Sequence, residues 1–134
     1  MSGLVVDTSA MVAILGEEAG AEWLSEQLSS AERRIAAAPT VVELAIVLEA
    51  RAPAAVGIAR RALRDAGVEV VPFDDDLADR AAEAWRRFGR GRHLAALNLG
   101  DCFTYALAHR TNQPVLCVRD DFAQTDLRVV RPPG

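Results

Sequence analysis

Short apolar runs at residues 4–6, 34–38, 68–71, 115–118 and 127–130 mark candidate strands, and most are separated by segments with apolar residues at helical spacing. Strands that alternate with helices imply a parallel sheet covered on both faces. Right-handed crossovers then leave few ways to wind the chain. The expected fold class is therefore α/β, a three-layer α/β/α arrangement around a central, mostly parallel sheet of about four to five strands. Helices are expected from Thr8 to about Leu15, through Trp23, Leu24 and Leu28, and from a Thr40 cap to about Arg51 before the break at Pro53. Others are expected over 54–66, over 74–88 with acids first and Arg86 and Arg87 last, and from Asn98 to about Arg110.

With 134 residues the chain reads as one domain spanning 1–134, and its 51% hydrophobic content supports a real core. No stretch approaches a membrane span, and the N-terminus lacks the features of a signal peptide. Cys102 and Cys117 suggest no disulfide framework, so a cytoplasmic, reducing setting is expected. The net charge of −4 argues mildly against a nucleic-acid partner, unless several acids surround a divalent cation. All fifteen basic residues are arginine.

Four acids stand where local structure does not ask for them. Asp7 ends the first apolar strand; it can cap the following helix, or it can face a ligand at the carboxyl end of a parallel strand. Glu43 is the one charged residue between Val41 and Leu48, in a helix whose apolar composition implies burial. A capping box with Thr40 or an arginine partner would account for Glu43, and so would a metal. Asp101 lies in the first turn of an apolar helix for which Asn98 is already available as cap. Asp120, with Asp121 as its neighbour, closes the strand at 115–118, repeating the pattern at Asp7. In a doubly wound sheet these positions share one edge, where like charges repel unless a cation holds them ionised. Oxygen-only ligation points to Mg²⁺ or Mn²⁺, whose chemistry is water activation and charge stabilisation at phosphorus.

Several neighbours have other readings. Arg86, Arg87, Arg90, Arg92 and His93 form the densest basic run, and Arg90 and Arg92 are expected to contact phosphate near the acidic site. His93 and His109 are too scattered for zinc, and Cys102 and Cys117 read as core thiols. A receiver domain would need a lysine, and none is present. A haloacid-dehalogenase-like phosphatase would need an acid where Ser9 stands.

The chain resembles the PIN-domain ribonucleases, and among them the VapC toxins of bacterial toxin–antitoxin pairs. The resemblance rests on Val-Asp-Thr-Ser-Ala at 6–10 and on Glu43 in its apolar helix. It rests also on Gly-Arg-Gly-Arg-His at 89–93, Leu-Asn-Leu-Gly-Asp-Cys-Phe-Thr-Tyr-Ala-Leu-Ala at 97–108, and Asp-Asp-Phe-Ala-Gln-Thr-Asp at 120–126. It implies that Asp7, Glu43 and Asp101 are the core catalytic and metal-binding acids, with Asp120 as the fourth and Asp121 as its substitute. Asp126, Thr8 and Ser9 are candidates for supporting the site. The implied activity is Mg²⁺-dependent hydrolysis of RNA, with Mn²⁺ as a substitute ion, leaving a 5′-phosphate and a 3′-hydroxyl. The implied partners are an RNA substrate, a VapB-type antitoxin and a second copy of the chain, in a homodimer or toxin–antitoxin hetero-oligomer. The alternative is a catalytically impaired PIN-like module kept for binding protein or RNA.

Overall fold

The computed structural model describes residues 3–53 and 57–134. Its strands are β1 (Gly3–Val6), β2 (Arg33–Ala37), β3 (Glu69–Val71), β4 (Val115–Leu116) and β5 (Val129–Val130). They pair in parallel in the order β3-β2-β1-β4-β5. The chain winds outward from β1 through β2 to β3, then returns to the other side of β1 for β4 and β5. The winding direction therefore reverses between β1 and β4. In open α/β sheets the crevice beyond the carboxyl ends of two such strands is where ligands bind. Asp7 directly follows β1, and Arg119 to Asp121 follow β4.

Side-chain alternation divides the core into two layers. Val5, Ile35, Ala37, Val115 and Cys117 face α5 (Asp75–Phe88) and α6 (Leu99–Thr111), meeting Leu77, Phe88, Tyr105 and Leu107. Leu4, Val6, Ala36 and Leu116 face the other way, toward α1 (Thr8–Leu15), α2 (Ala21–Ser30), α3 (Ala38–Arg51) and α4 (Ile58–Asp65). Met11, Leu24, Leu28, Leu44 and Leu63 fill that second layer. Period-2 strands against helices on both faces give the expected three layers.

Most helix ends follow their local chemistry. Asp7 caps α1 by accepting from the Ser9 amide, and Asp74 caps α5 by accepting from that of Leu77. Asn112, in the left-handed region, closes α6. Helix α3 departs from expectation. It begins at Ala38, with Pro39 in its first turn, where the missing N–H costs no hydrogen bond. Thr40 is thus inside the helix rather than its cap, and its hydroxyl is buried without a partner among the described residues. Of the expected helix at 54–66, residues 54–56 lie outside the described residues. Among the described residues, no helix is long and apolar enough to cross a membrane.

Ile35 sits in a strand paired on both sides and is almost fully buried. Ile35→Ala is expected to cost about 2–5 kcal/mol, read from the urea midpoint with the far-ultraviolet spectrum unchanged. A loss below about 1 kcal/mol would contradict this account of the core.

Candidate active site

Three elements deliver carboxylates to one cavity of about 330 Å³ at the switch point. Asp7 comes from the end of β1, Glu43 from α3 and Asp101 from the first turn of α6. Asp7 and Asp101 are both only 2% exposed.

Each acid is held differently. Asp7 Oδ1 accepts from the Thr104 hydroxyl at 3.0 Å, and Oδ2 accepts from the Ser9 amide at 3.0 Å. Glu43 Oε1 accepts from the Thr8 hydroxyl at 2.7 Å. The Glu43 carboxyl lies against Gly100; a Cβ on that residue would lie 2.6 Å from Oε1 and collide with the group. Glycine is therefore what lets a carboxylate approach the positive N-terminal end of α6 so closely. Asp101 Oδ2 accepts from the Asn98 amide at 3.0 Å while Asn98 Oδ1 accepts from the Asp101 amide at 2.8 Å, a reciprocal capping box. The remaining Asp101 oxygen, Oδ1, accepts from the Arg119 guanidinium at 3.1 Å.

Two local expectations change here. Glu43 does not close a capping box with Thr40, because α3 starts earlier and places Glu43 beyond its first turn. Asp101, conversely, is part of its helix's cap despite the presence of Asn98. Helix α3 is also not buried all round: Val42 and Ile46 are 58% and 64% exposed, and nearby Leu99 is 67% exposed.

The charge balance is uneven. Of the acids lining the cavity, Glu18 pairs with Arg51 at 2.8 Å and Asp101 with Arg119 at 3.1 Å. Asp7 and Glu43 have neutral donors. Burial pushes Asp101 up from 3.8 to about 6, helped by the charges of Asp7 and Asp121 and opposed by the Asn98 amide and Arg119. Burial works against the Arg119 charge, but Asp101, Asp121, Asp7 and Glu43 together outweigh it. The thiols are no ligands: burial and nearby acids raise Cys102 to about 11 and Cys117 to about 12, so both stay protonated. A buried set of carboxylate oxygens with surplus negative charge fits a hard divalent cation. As they stand, the acids are not closed around a common point: among the described residues no three are drawn together as a ready-made ion site.

The other expected site residues divide. Thr8 and Ser9 line the cavity and hold its acids. Neither Asp120 nor Asp121 lines the cavity, and Asp120 is exposed. Its neighbour Asp121 is half-buried, 3.7 Å from Arg119 and close enough to raise Asp101. The physical reason lies in the turn after β4: Asp121 starts the 3₁₀ turn at Phe122–Gln124, and Phe122 is anchored in the core. Asp126 is elsewhere, accepting from the Tyr105 hydroxyl at 2.7 Å and pairing with Arg87 at 3.5 Å. Arg90 and Arg92 are exposed and do not line the cavity; its arginines are Arg51 and Arg119. Sequence reasoning missed those two and Thr104. The signal for Thr104 was available, since it lies three residues after Asp101 on one helix face.

The raised Asp101 carboxyl fixes a pH dependence. Between about pH 4 and 6 the folded, metal-free chain binds a proton there that the unfolded chain does not. Lowering the pH through that window therefore adds stability at this group, on the order of 3 kcal/mol in full, and raising it again removes the gain. Urea unfolding in chelator should show wild type gaining on Asp101→Asn as pH falls from 7 to about 4. A difference that does not vary with pH would refute the assignment.

The sequence matches the PIN domain family over residues 4–126. Ribonuclease VapC36 of Mycobacterium tuberculosis is 45% identical over 126 residues, covering 92% of this chain and 91% of that protein. Among solved structures, a toxin–antitoxin complex from Klebsiella pneumoniae matches with a TM-score of 0.73 at 18% identity, over 97% of this chain and 98% of that one. Mycobacterium tuberculosis VapC20, a sarcin–ricin loop cleaving toxin, matches with a TM-score of 0.71 at 19% identity, over 96% and 99%. These two structures bear on the fold, whereas the relative at 45% identity bears on the family. The chain belongs to the PIN domain family and, within it, to the VapC ribonucleases.

Proposed function

We propose that the chain is a Mg²⁺-dependent endoribonuclease, with Mn²⁺ as a substitute ion, acting as the toxin of a VapBC-type pair. It works as a single domain in the cytoplasm, where Cys102 and Cys117 stay free thiols. The observation that carries the reading is the convergence of Asp7, Glu43 and Asp101 from three elements on one cavity with surplus negative charge.

Asp7 and Asp101 are the residues that would hold the ion, with Asp121, rather than the exposed Asp120, adding charge beside them. When bound, a divalent cation acidifies water and offsets the charge that develops on a phosphodiester. Glu43, whose carboxylate accepts from the Thr8 hydroxyl and lies against Gly100, would orient the attacking water and take its proton. Thr104 and the Ser9 amide fix Asp7 without adding net charge, as partners of metal ligands do. Arg51 and Arg119 line the cavity and can meet phosphate oxygens there; Arg90 and Arg92 are left for phosphates farther along the RNA.

The antitoxin reading is supported by a second surface. Pro39, Val42, Ile46, Leu99 and Phe103 border an apolar groove of about 400 Å³ that shares Glu43 and Val47 with the acid cavity. Exposed apolar area of this kind suits a protein partner. A VapB-type segment laid along it would end beside the acids, and a second copy of the chain could cover the adjoining face of α5.

The decisive measurement is sequencing of RNA ends after induced expression. Wild type should generate new 5′ ends, and purified protein should lose cleavage in chelator. Asp7→Asn and Asp101→Asn should each reduce cleavage by more than roughly 100-fold, since residues that merely support ligands are worth about 10–100-fold. Equal cleavage by wild type and both variants would reject the proposed roles. Thr104→Val keeps shape and removes only the bond to Asp7; it should weaken Mn²⁺ binding by roughly 10–100-fold. Its stability loss should be about 1.5–3 kcal/mol, and unchanged Mn²⁺ affinity would show that Thr104 does not orient Asp7 for an ion.

A further inference from the structure

Of the acids that β1, α3 and α6 bring to the cavity, Asp101 alone has a full positive charge on one of its oxygens; Glu18, which also lines it, is paired with Arg51. Its Oδ2 is committed to the Asn98 amide, and its Oδ1 accepts from Arg119 at 3.1 Å. Asp7 and Glu43 are held by hydroxyl and amide donors instead. A carboxylate oxygen that accepts from a neutral donor can still ligate a cation through its remaining lone pair. A guanidinium on the same oxygen repels that cation directly.

We propose that Arg119 is an internal counter-ion of the metal-free site, which holds Asp101 Oδ1 and must release it before a divalent cation can be bound. The inference rests on the metal-dependent reading above. The geometry allows the release. The Arg119 side chain is 52% exposed, so the freed guanidinium moves into water rather than into the core. Asp121 Oδ2, 3.7 Å away, offers it a second carboxylate beside the cavity. The turn that carries Arg119 is anchored on one side by buried Cys117 and on the other by buried Phe122.

The energetic logic follows from linkage. Without Arg119, Asp7, Glu43 and Asp101 would line the cavity with only Arg51, already paired with Glu18, as a cationic side chain. Whatever Arg119 contributes to the empty site must be given up on binding, so it lowers metal affinity by the same factor.

The test is a Mn²⁺ titration of the chelator-stripped full chain, followed by the signal of the free ion in electron paramagnetic resonance and, for Mg²⁺, by calorimetry. Arg119→Gln should bind the ion roughly tenfold more tightly than wild type, and Arg119→Lys, which keeps the charge, should stay near wild type. Asp101→Asn should lose binding in either background. If Asp101→Asn abolishes binding while Arg119→Gln binds no more tightly than wild type, the counter-ion role is overturned and the metal reading stands. Absence of binding, or binding indifferent to Asp101→Asn, overturns both. Should Arg119→Gln fail to fold, wild type supplies the same answer: the Arg119 Nε–H resonance should move toward that of a solvated arginine as Mg²⁺ is added, and a resonance that stays in place refutes the exchange.

Discussion

A hydrogen bond from the Thr104 hydroxyl to Asp7 Oδ1 spans 97 positions of sequence and ties the end of the central strand to the middle of α6. The rest of the site depends on that closure. Asp7 is almost fully buried, α1 supplies only the Ser9 amide to one of its side-chain oxygens, and a buried carboxyl group needs partners for both. Thr104 is itself inaccessible to solvent, so the two groups satisfy each other. Because α6 is fixed in this way, its first turn, with Gly100 and Asp101, is brought to the carboxyl edge of the sheet beside Glu43.

Three acids in so small a space are tolerable for separate reasons. The amide ends of α1 and α6 receive Asp7 and Asp101 respectively, as helix N-termini favour anions. Gly100 admits Glu43 to the same end of α6. Arg119 supplies the one full positive charge in contact with Asp101. Even so, the burial of Asp101 is not fully offset, and its proton affinity stays raised. A site that holds part of its charge against an unfavourable environment is poised to gain when a dication enters.

Much of this was legible in the sequence because it depends on local periodicity and on where strands end. The alternation of apolar runs with helical segments fixed a parallel sheet, and Asp7 at the end of an apolar strand already pointed to the ligand edge. What could not be read depends on helix phase and on distant partners. Pro39 shifts the start of α3 ahead of Thr40, which dissolves the expected capping box and moves Glu43 into the second turn. Asp101 turns out to serve cap and cavity with different oxygens, a division that residue spacing cannot express. The choice between Asp120 and Asp121 hangs on a single turn anchored by Phe122. The pair of Arg51 and Glu18 joins α3 to the loop after α1, and nothing in either segment announces the other.

The misread face of α3 is informative for the same reason. Composition made the helix look buried, yet Val42 and Ile46 point outward beside Leu99. Apolar side chains left at a surface do nothing for a phosphate-bearing substrate, whose binding is dominated by positive charge. They do lower the free energy of a covering protein surface, at about 25 cal/mol for each Å² of apolar area removed from water. Since Glu43 and Val47 border both the apolar groove and the acid cavity, any chain seated on α3 would crowd the acids without having to rearrange them. Under the proposed function, substrate access and partner binding would compete for one helix, and inhibition would need no transmitted conformational change.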